Sequence, residues 1–296
     1  MFAGLVQFFR RMFGMESEPA PTSRSNEPED VIYEDGSDVF DNSIGETVEL
    51  PETTTSRSVS RSAGPSANPE TGEIIEISDE DLAAADAVVT VSQPRYLWCL
   101  DNGHGRLQNG KRSPHFPDGT RFEEWEFNRD IVRLMIEQLQ VAGVEYFNVV
   151  PEEDTGSFLK GRVDRANAKT SDLGIPKIYV SIHANAAPIQ SGQTWANGIT
   201  GIETFCYPGS KSGRKIARVF QRHLIQTMGW RDRGVKEANF YVLQNTKMSA
   251  VLTESGFYTD LQQATDLQTP EVRQQIADAH VAAILEIEAN GLENLA

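Results

Sequence analysis

The chain changes character at Arg95. Residues 1–94 hold 19 acidic side chains against five arginines and no lysine, whereas residues 95–296 hold 24 acids against 22 bases. Nearly all of the formal net charge of −16 therefore sits in the first third. That third is rich in Ser, Thr, Glu and Pro and has no aromatic residue between Phe40 and Arg95. Such a composition cannot bury enough apolar surface to offset the entropy of ordering it. The remaining ~200 residues can, because a domain of that size hides about 70% of its unfolded surface. The same arithmetic excludes a nucleic-acid binder driven by a basic patch. Cys99 and Cys206 are the only cysteines, which excludes a disulfide scaffold. No apolar run approaches the ~18 residues of a membrane span.

Three regions are expected: residues 1–15, 16–94 and 95–296. Met1–Met15 reads MFAGLVQFFRRMFGM, with Arg10 and Arg11 behind the apolar residues. A secretory signal places its charge first, so this segment reads as a short docking helix or an interfacial membrane anchor. Residues 16–94 read as an acidic, low-complexity linker.

From Tyr96 onward, apolar runs of strand length alternate with helical patterns. Strands are expected over Tyr96–Leu100, Val144–Val150, Lys177–His183, Gly201–Tyr207 and Ala250–Glu254. Phe127, Ile131, Leu134 and Met135 mark one face of a helix over Glu124–Ala142 that Gly143 ends. Further helices are expected over Leu159–Lys169, Lys211–Met228 and Pro270–Asn290. The alternation predicts an α/β fold with a single mixed, largely parallel sheet flanked by helices.

In such sheets ligands gather at the carboxyl ends of the strands. His104 follows the first strand, His183 ends the third and Glu254 ends the fifth, while the helix starting near Glu124 can bring a second carboxylate to the same edge. Two imidazoles and a carboxylate with one open position suit a hydrolytic metal site, with His104, Glu124 and His183 as ligands and Glu254 as base. Spacing alone leaves each histidine equally readable as a satisfied structural residue, because no compact motif such as HExxH is present.

Several blocks then fall in one order: LDNGHG over 100–105, EWEFN over 124–128, Asp154, Leu159, Arg162 and Ala166-Asn167, SIHAN over 181–185, GIETF over 201–205, RGVK over 233–236, and LTESGF over 252–257. With these blocks, residues 96–290 resemble the zinc-dependent N-acetylmuramoyl-L-alanine amidases of the Amidase_3 type. The resemblance selects Glu124 over Glu123 and Glu126. It implies one Zn²⁺ and a peptidoglycan substrate cut between N-acetylmuramic acid and L-alanine. Glu203 becomes a candidate for orienting a histidine, with a salt-bridged strand residue as the alternative. Asn185, Arg162 and Trp195 are further candidates for positioning a ligand or meeting substrate. Arg162 and Asn167 are expected to tie down the loop of the SIHAN strand. Trp195 either stacks on a sugar or closes its loop. His115, His223 and His280 are expected to be bystanders.

Departures from the family pattern, such as Asn102 for Pro and Ser249 for Pro, remove neither a ligand nor the base. No secretion signal is evident although the substrate lies outside the cytoplasm. Delivery by release as a phage lysin, by a phage-tail-like particle, or by membrane attachment through Met1–Met15 is therefore expected. A catalytically silent wall-binding module and a zinc peptidase cutting elsewhere in the stem peptide stay open.

Overall fold

The computed structural model describes residues 90–295. The expectations for Met1–Met15 and for residues 16–89 lie outside the described residues. The first strand, β1 (Leu97–Asn102), is followed by α1 (Glu124–Ala142), β2 (Tyr146–Asn148), α2 (Leu159–Ala168), β3 (Lys177–Asn185) and β4 (Ile202–Cys206). Then come α3 (Lys211–Met228), β5 (Asp232–Glu237), α4 (Tyr241–Asn245), β6 (Ser249–Phe257), α5 (Leu261–Asp266) and α6 (Pro270–Asn290).

The three long helices keep the bounds that their punctuation dictates. α1 buries Phe127, Ile131, Val132, Met135 and Leu139 and stops at Gly143 in the left-handed region. α3 starts behind Ser210, whose hydroxyl accepts from Gly213 N. α6 starts behind Thr269 with Pro270 in its first turn.

The sheet order is β2-β1-β3-β6-β4-β5. All pairings are parallel except β4 with β6, so β4 and β5 run against the other four strands. Residues alternate between the two faces, as a pleated strand requires. Trp98, Leu100, Ile178, Val180 and Val251 pack under α1, α3 and α6, while Leu97, Cys99, Tyr179, Ala250 and Leu252 pack under α2 and α4. The first face carries helices of 19, 18 and 21 residues, and the second only ten and five. The thinly covered face is the one on which Asp101, Ser181, His183 and Glu254 fall, two or four residues beyond those buried positions, with Glu203 in register with Glu254.

Four strands differ from the sequence expectation. β5 is absent from it because DRGVKE has no apolar alternation. β3 and β6 continue past His183 and Glu254 to Asn185 and Phe257, so these two residues lie within strands and not at their ends. β2, at one edge of the sheet, covers only Tyr146–Asn148 of the expected Val144–Val150.

Trp98 joins the sheet to the last helix. Its ring is fully buried and its Nε1 donates to Glu288 Oε1 at 2.7 Å. Tyr96 and Phe220 flank it at centroid distances of 6.2 and 6.3 Å. We expect Trp98→Ala to lower unfolding free energy by about 3–5 kcal/mol, a lost aromatic volume with one carboxylate oxygen of Glu288 left without its donor. A urea titration gives the value, and a loss below about 1 kcal/mol would refute the packing role.

Candidate metal centre and active site

Beyond β1 the chain continues the ladder through Gly103, whose N–H donates to Ile182 O at 3.1 Å. A Cβ at Gly103 would stand 2.1 Å from Cε1 of His183, so only glycine lets that ring close over the strand end. His104 follows with φ of 61°, a left-handed conformation that costs a residue with a side chain roughly 1–2 kcal/mol. Two arginines hold it there. Arg129 Nη1 donates to the His104 carbonyl at 3.0 Å and Arg162 Nη2 at 3.4 Å.

Arg162 is 1% exposed, so its charge must be met within the protein. Nη1 pairs with Asp101 and donates to Asn102 O, and Nη2 donates to Ser157 O at 2.7 Å. Burial works to raise the Asp101 carboxyl, but the Arg162 guanidinium and the Ser181 hydroxyl outweigh it and hold the group below the usual carboxylate range. Arg162 therefore fastens the His104 segment, not the loop of the SIHAN strand. Asn167 fastens another loop, accepting from Lys247 N at 2.7 Å and donating to Asn245 O at 3.0 Å.

Glu124 opens α1, where the helix dipole favours an anion. It is 2% exposed. Its Oε1 lies 3.2 Å from His104 Nε2 and 3.0 Å from His183 Nδ1, and the two nitrogens are 3.1 Å apart. The outward nitrogens are also engaged. His104 Nδ1 donates to Gln108 Oε1 at 2.7 Å. His183 Nε2 donates to Ser181 Oγ at 3.2 Å, and Ser181 in turn donates to Asp101 Oδ2 at 2.6 Å. These bonds set both tautomers and leave lone pairs on the inward nitrogens. Burial also pushes His183 below its ordinary range, toward the neutral form.

Three lone-pair atoms facing one another have no proton to share. Ligands at about 2.0–2.2 Å from a tetrahedral ion lie roughly 3.3 Å from each other, close to the three separations here. His104, Glu124 and His183 thus fit a divalent metal, and their donor atoms all lie within 4.8 Å of one another.

Glu254 stands beside this cluster, because His183 and Glu254 are in register on β3 and β6. Across the antiparallel pairing Glu203 is in register with Glu254. Glu203 orients no histidine. It accepts from Asn185 Nδ2 at 2.6 Å and meets Arg233 and Lys236 at 2.9 and 2.8 Å. Trp195 is 8% exposed and packs on Phe116 at 5.3 Å, so it closes its loop and offers no sugar platform. His115 lies in an exposed loop against Arg121. His223 bonds Glu286, and His280, pushed down to about 4 by burial, bonds Thr253 and Ile276 O. Sequence reasoning missed Gln108, Ser181, Asp101 and Arg129. A charged residue inside an otherwise apolar strand and a serine two places before His183 were the available signals.

The fold and site define an α/β protein with a His–Glu–His metal-donor set and a carboxylate in register beside it, at the carboxyl edge of a mixed sheet. Residues 99–286 match the family described as N-acetylmuramoyl-L-alanine amidase, Amidase_3, and the chain belongs to it. The uncharacterized protein YqiI of Bacillus subtilis (strain 168) is 33% identical over 62% of this chain and 81% of its own length. The N-acetylmuramoyl-L-alanine amidase LytC of the same organism is 32% identical over 61% of this chain, which spans only 33% of LytC. The crystal structure of an N-acetylmuramoyl-L-alanine amidase from Clostridium difficile 630 superposes with a TM-score of 0.57 at 27% identity, covering 67% of this chain and all of that one.

Two outcomes follow. Gly103→Ala should displace the His183 ring and weaken divalent-metal affinity at least about tenfold, as outer contacts do, read by calorimetric titration of metal into protein that circular dichroism shows folded. Asp101→Asn should cost about 3–5 kcal/mol at about pH 7 by leaving Arg162 unpaired. Because the Asp101 carboxyl is depressed in the folded state, its contribution is present above its unfolded value and lost as pH falls through the folded one. The stability gap between wild type and variant should therefore narrow toward about pH 3, and a gap constant with pH would refute the assignment.

Proposed function

We propose that the domain is a zinc-dependent peptidoglycan hydrolase that cleaves the amide between the lactyl carbonyl of N-acetylmuramic acid and the amino group of L-alanine. One observation carries this reading: Glu254 is in register with His183, which puts a carboxylate on the strand beside a three-donor metal set. His104, Glu124 and His183 would hold one Zn²⁺. The bound ion supplies Lewis acidity, lowering the pKa of a water and polarising the substrate carbonyl. The chain's own residues do the rest. Glu254 takes the water proton as that oxygen attacks the carbonyl carbon, then returns it to the nitrogen as the C–N bond breaks. A carboxylate is left on the sugar side and a free amine on the peptide. Gln108 and Ser181 keep the two imidazoles in the tautomers the ion requires, and Arg129 and Arg162 keep the His104 segment in place.

The deciding measurement is mass analysis of fragments from purified peptidoglycan. Wild type should release peptides with a free L-alanine amino terminus, and chelation should abolish release. Glu254→Gln should retain zinc yet lose about 10²–10⁴-fold in kcat. Cleavage deeper in the stem peptide would make the domain a zinc peptidase, and binding without cleavage a wall-binding module.

The substrate lies outside the cytoplasm, and we read Met1–Met15 as the segment that carries the enzyme to a particle or a membrane surface. The support is its sequence: Phe and Leu beside Arg10 and Arg11 suit such an interface. Deletion of residues 1–15 should abolish sedimentation with particles or anionic vesicles, and unchanged sedimentation would refute this assignment.

A further inference from the structure

Glu203 and Glu254 face each other across the antiparallel β4–β6 pairing, a placement that like charges disfavour. The response of the fold is asymmetric. Arg233 Nε and Lys236 Nζ both converge on Glu203 Oε2, at 2.9 and 2.8 Å, while Asn185 holds Oε1. Residues 233 and 236 are three apart and would leave a regular strand on opposite faces. A bulge in β5 brings them to one face. Between Ile202↔Asp232 and Thr204↔Val235, the single residue Glu203 opposes both Arg233 and Gly234, and Gly234 has φ of 80°. The strand is bent so that two cations meet one carboxylate.

One cation would neutralise Glu203. Arg233 suffices for that: its side chain is only 13% exposed and its guanidinium lies 4.9 Å over the Phe257 ring. Lys236 is the surplus charge. Its side chain is 31% exposed, and its ammonium carries three donors, of which Glu203 takes one. Glu203 lies one strand spacing beyond Glu254, about 5 Å along the sheet edge on the side away from the metal donors. An extended peptide advances about 3.3–3.6 Å per residue. A peptide leaving the scissile amide toward β5 therefore meets the Lys236 ammonium at about its second residue.

We propose that Lys236, mounted on Glu203 by the β5 bulge, is a specificity-determining residue that binds a carboxylate on the residue following L-alanine in the substrate peptide. The assignment rests on the amidase reading above. It also fixes the direction of the substrate: peptide toward β4 and β5, glycan toward β1 and β2.

The test uses the zinc-loaded full chain and two synthetic muramoyl peptides, one with a free carboxylate on the second residue and one with the carboxamide. Wild type should favour the carboxylate by about two- to fivefold in kcat/KM, carried by KM, the size of a partly exposed ion pair. Lys236→Met should bring the ratio to about one, and Lys236→Arg, which keeps the charge, should preserve most of it. Lys236 is exposed enough that neither variant threatens the fold. A wild type without preference, or a Lys236→Met variant that slows both substrates alike and keeps the ratio, would overturn the proposal; in the latter case Lys236 merely offsets the Glu203–Glu254 pair. A wild type that cleaves neither peptide would overturn the amidase reading and this inference with it.

Discussion

The site depends on one buried ion pair. Arg162 and Asp101 are both almost fully removed from water, at 1% and 0% exposure, and neither could stand there alone. Together they organise the surroundings of both histidines. Arg162 grips the carbonyls of Asn102, His104 and Ser157, so the turn after β1 and the turn before α2 become one unit. Asp101 receives Ser181, and Ser181 receives His183. The orientation of both imidazoles, one in the turn after β1 and one on β3, thus traces back to one guanidinium on a helix. The pair is weak evidence for stability in itself, since a well-packed apolar pair would hold the sheet as well. Its use is to make the left-handed His104 conformation and the His183 tautomer mutually dependent.

The reversal of β4 is the second constraint. Had β4 joined the sheet in parallel, its chain direction would have carried Glu203 to another register, and the row His183, Glu254, Glu203 would not exist. The reversal also brings β5 to the same edge, because β5 pairs with β4 in parallel. Chemistry-bearing side chains therefore line the end of the sheet in a fixed sequence: metal donors from β1, α1 and β3, a carboxylate from β6, then a neutralised carboxylate and cations from β4 and β5.

Much of this was legible in the sequence because it depends on local rules. The bounds of α1, α3 and α6 match the helices expected from the sequence, α1 through the stripe of Phe127, Ile131, Leu134 and Met135 and its stop at Gly143. His104 and His183 were expected at one sheet edge from the alternation of strands and helices, and the family resemblance selected Glu124 as the third donor. What stayed hidden depends on pairing partners that are far apart in the chain. The direction of β4 is not written in GIETF. β5 has no apolar face to betray it, since its role is to carry Arg233 and Lys236. Trp195 and Arg162 illustrate the limit at single residues, because whether a tryptophan closes a loop or stacks on a ligand depends on Phe116, far away in sequence, and which loop an arginine ties depends on where its helix docks. The acidic stretch before residue 90 lies outside the described residues, and its expected role rests on composition.

The two ends of the sheet share a property with a practical consequence. A sheet edge is an open row of donors and acceptors on which a second copy can build. Here one edge strand is only three residues long, and the other is charged at four of its six positions and bent by its bulge. Neither gives a neighbour a straight ladder to extend. A hydrolase crowded on a polymeric substrate gains from such edges, because crowding does not become fibril growth.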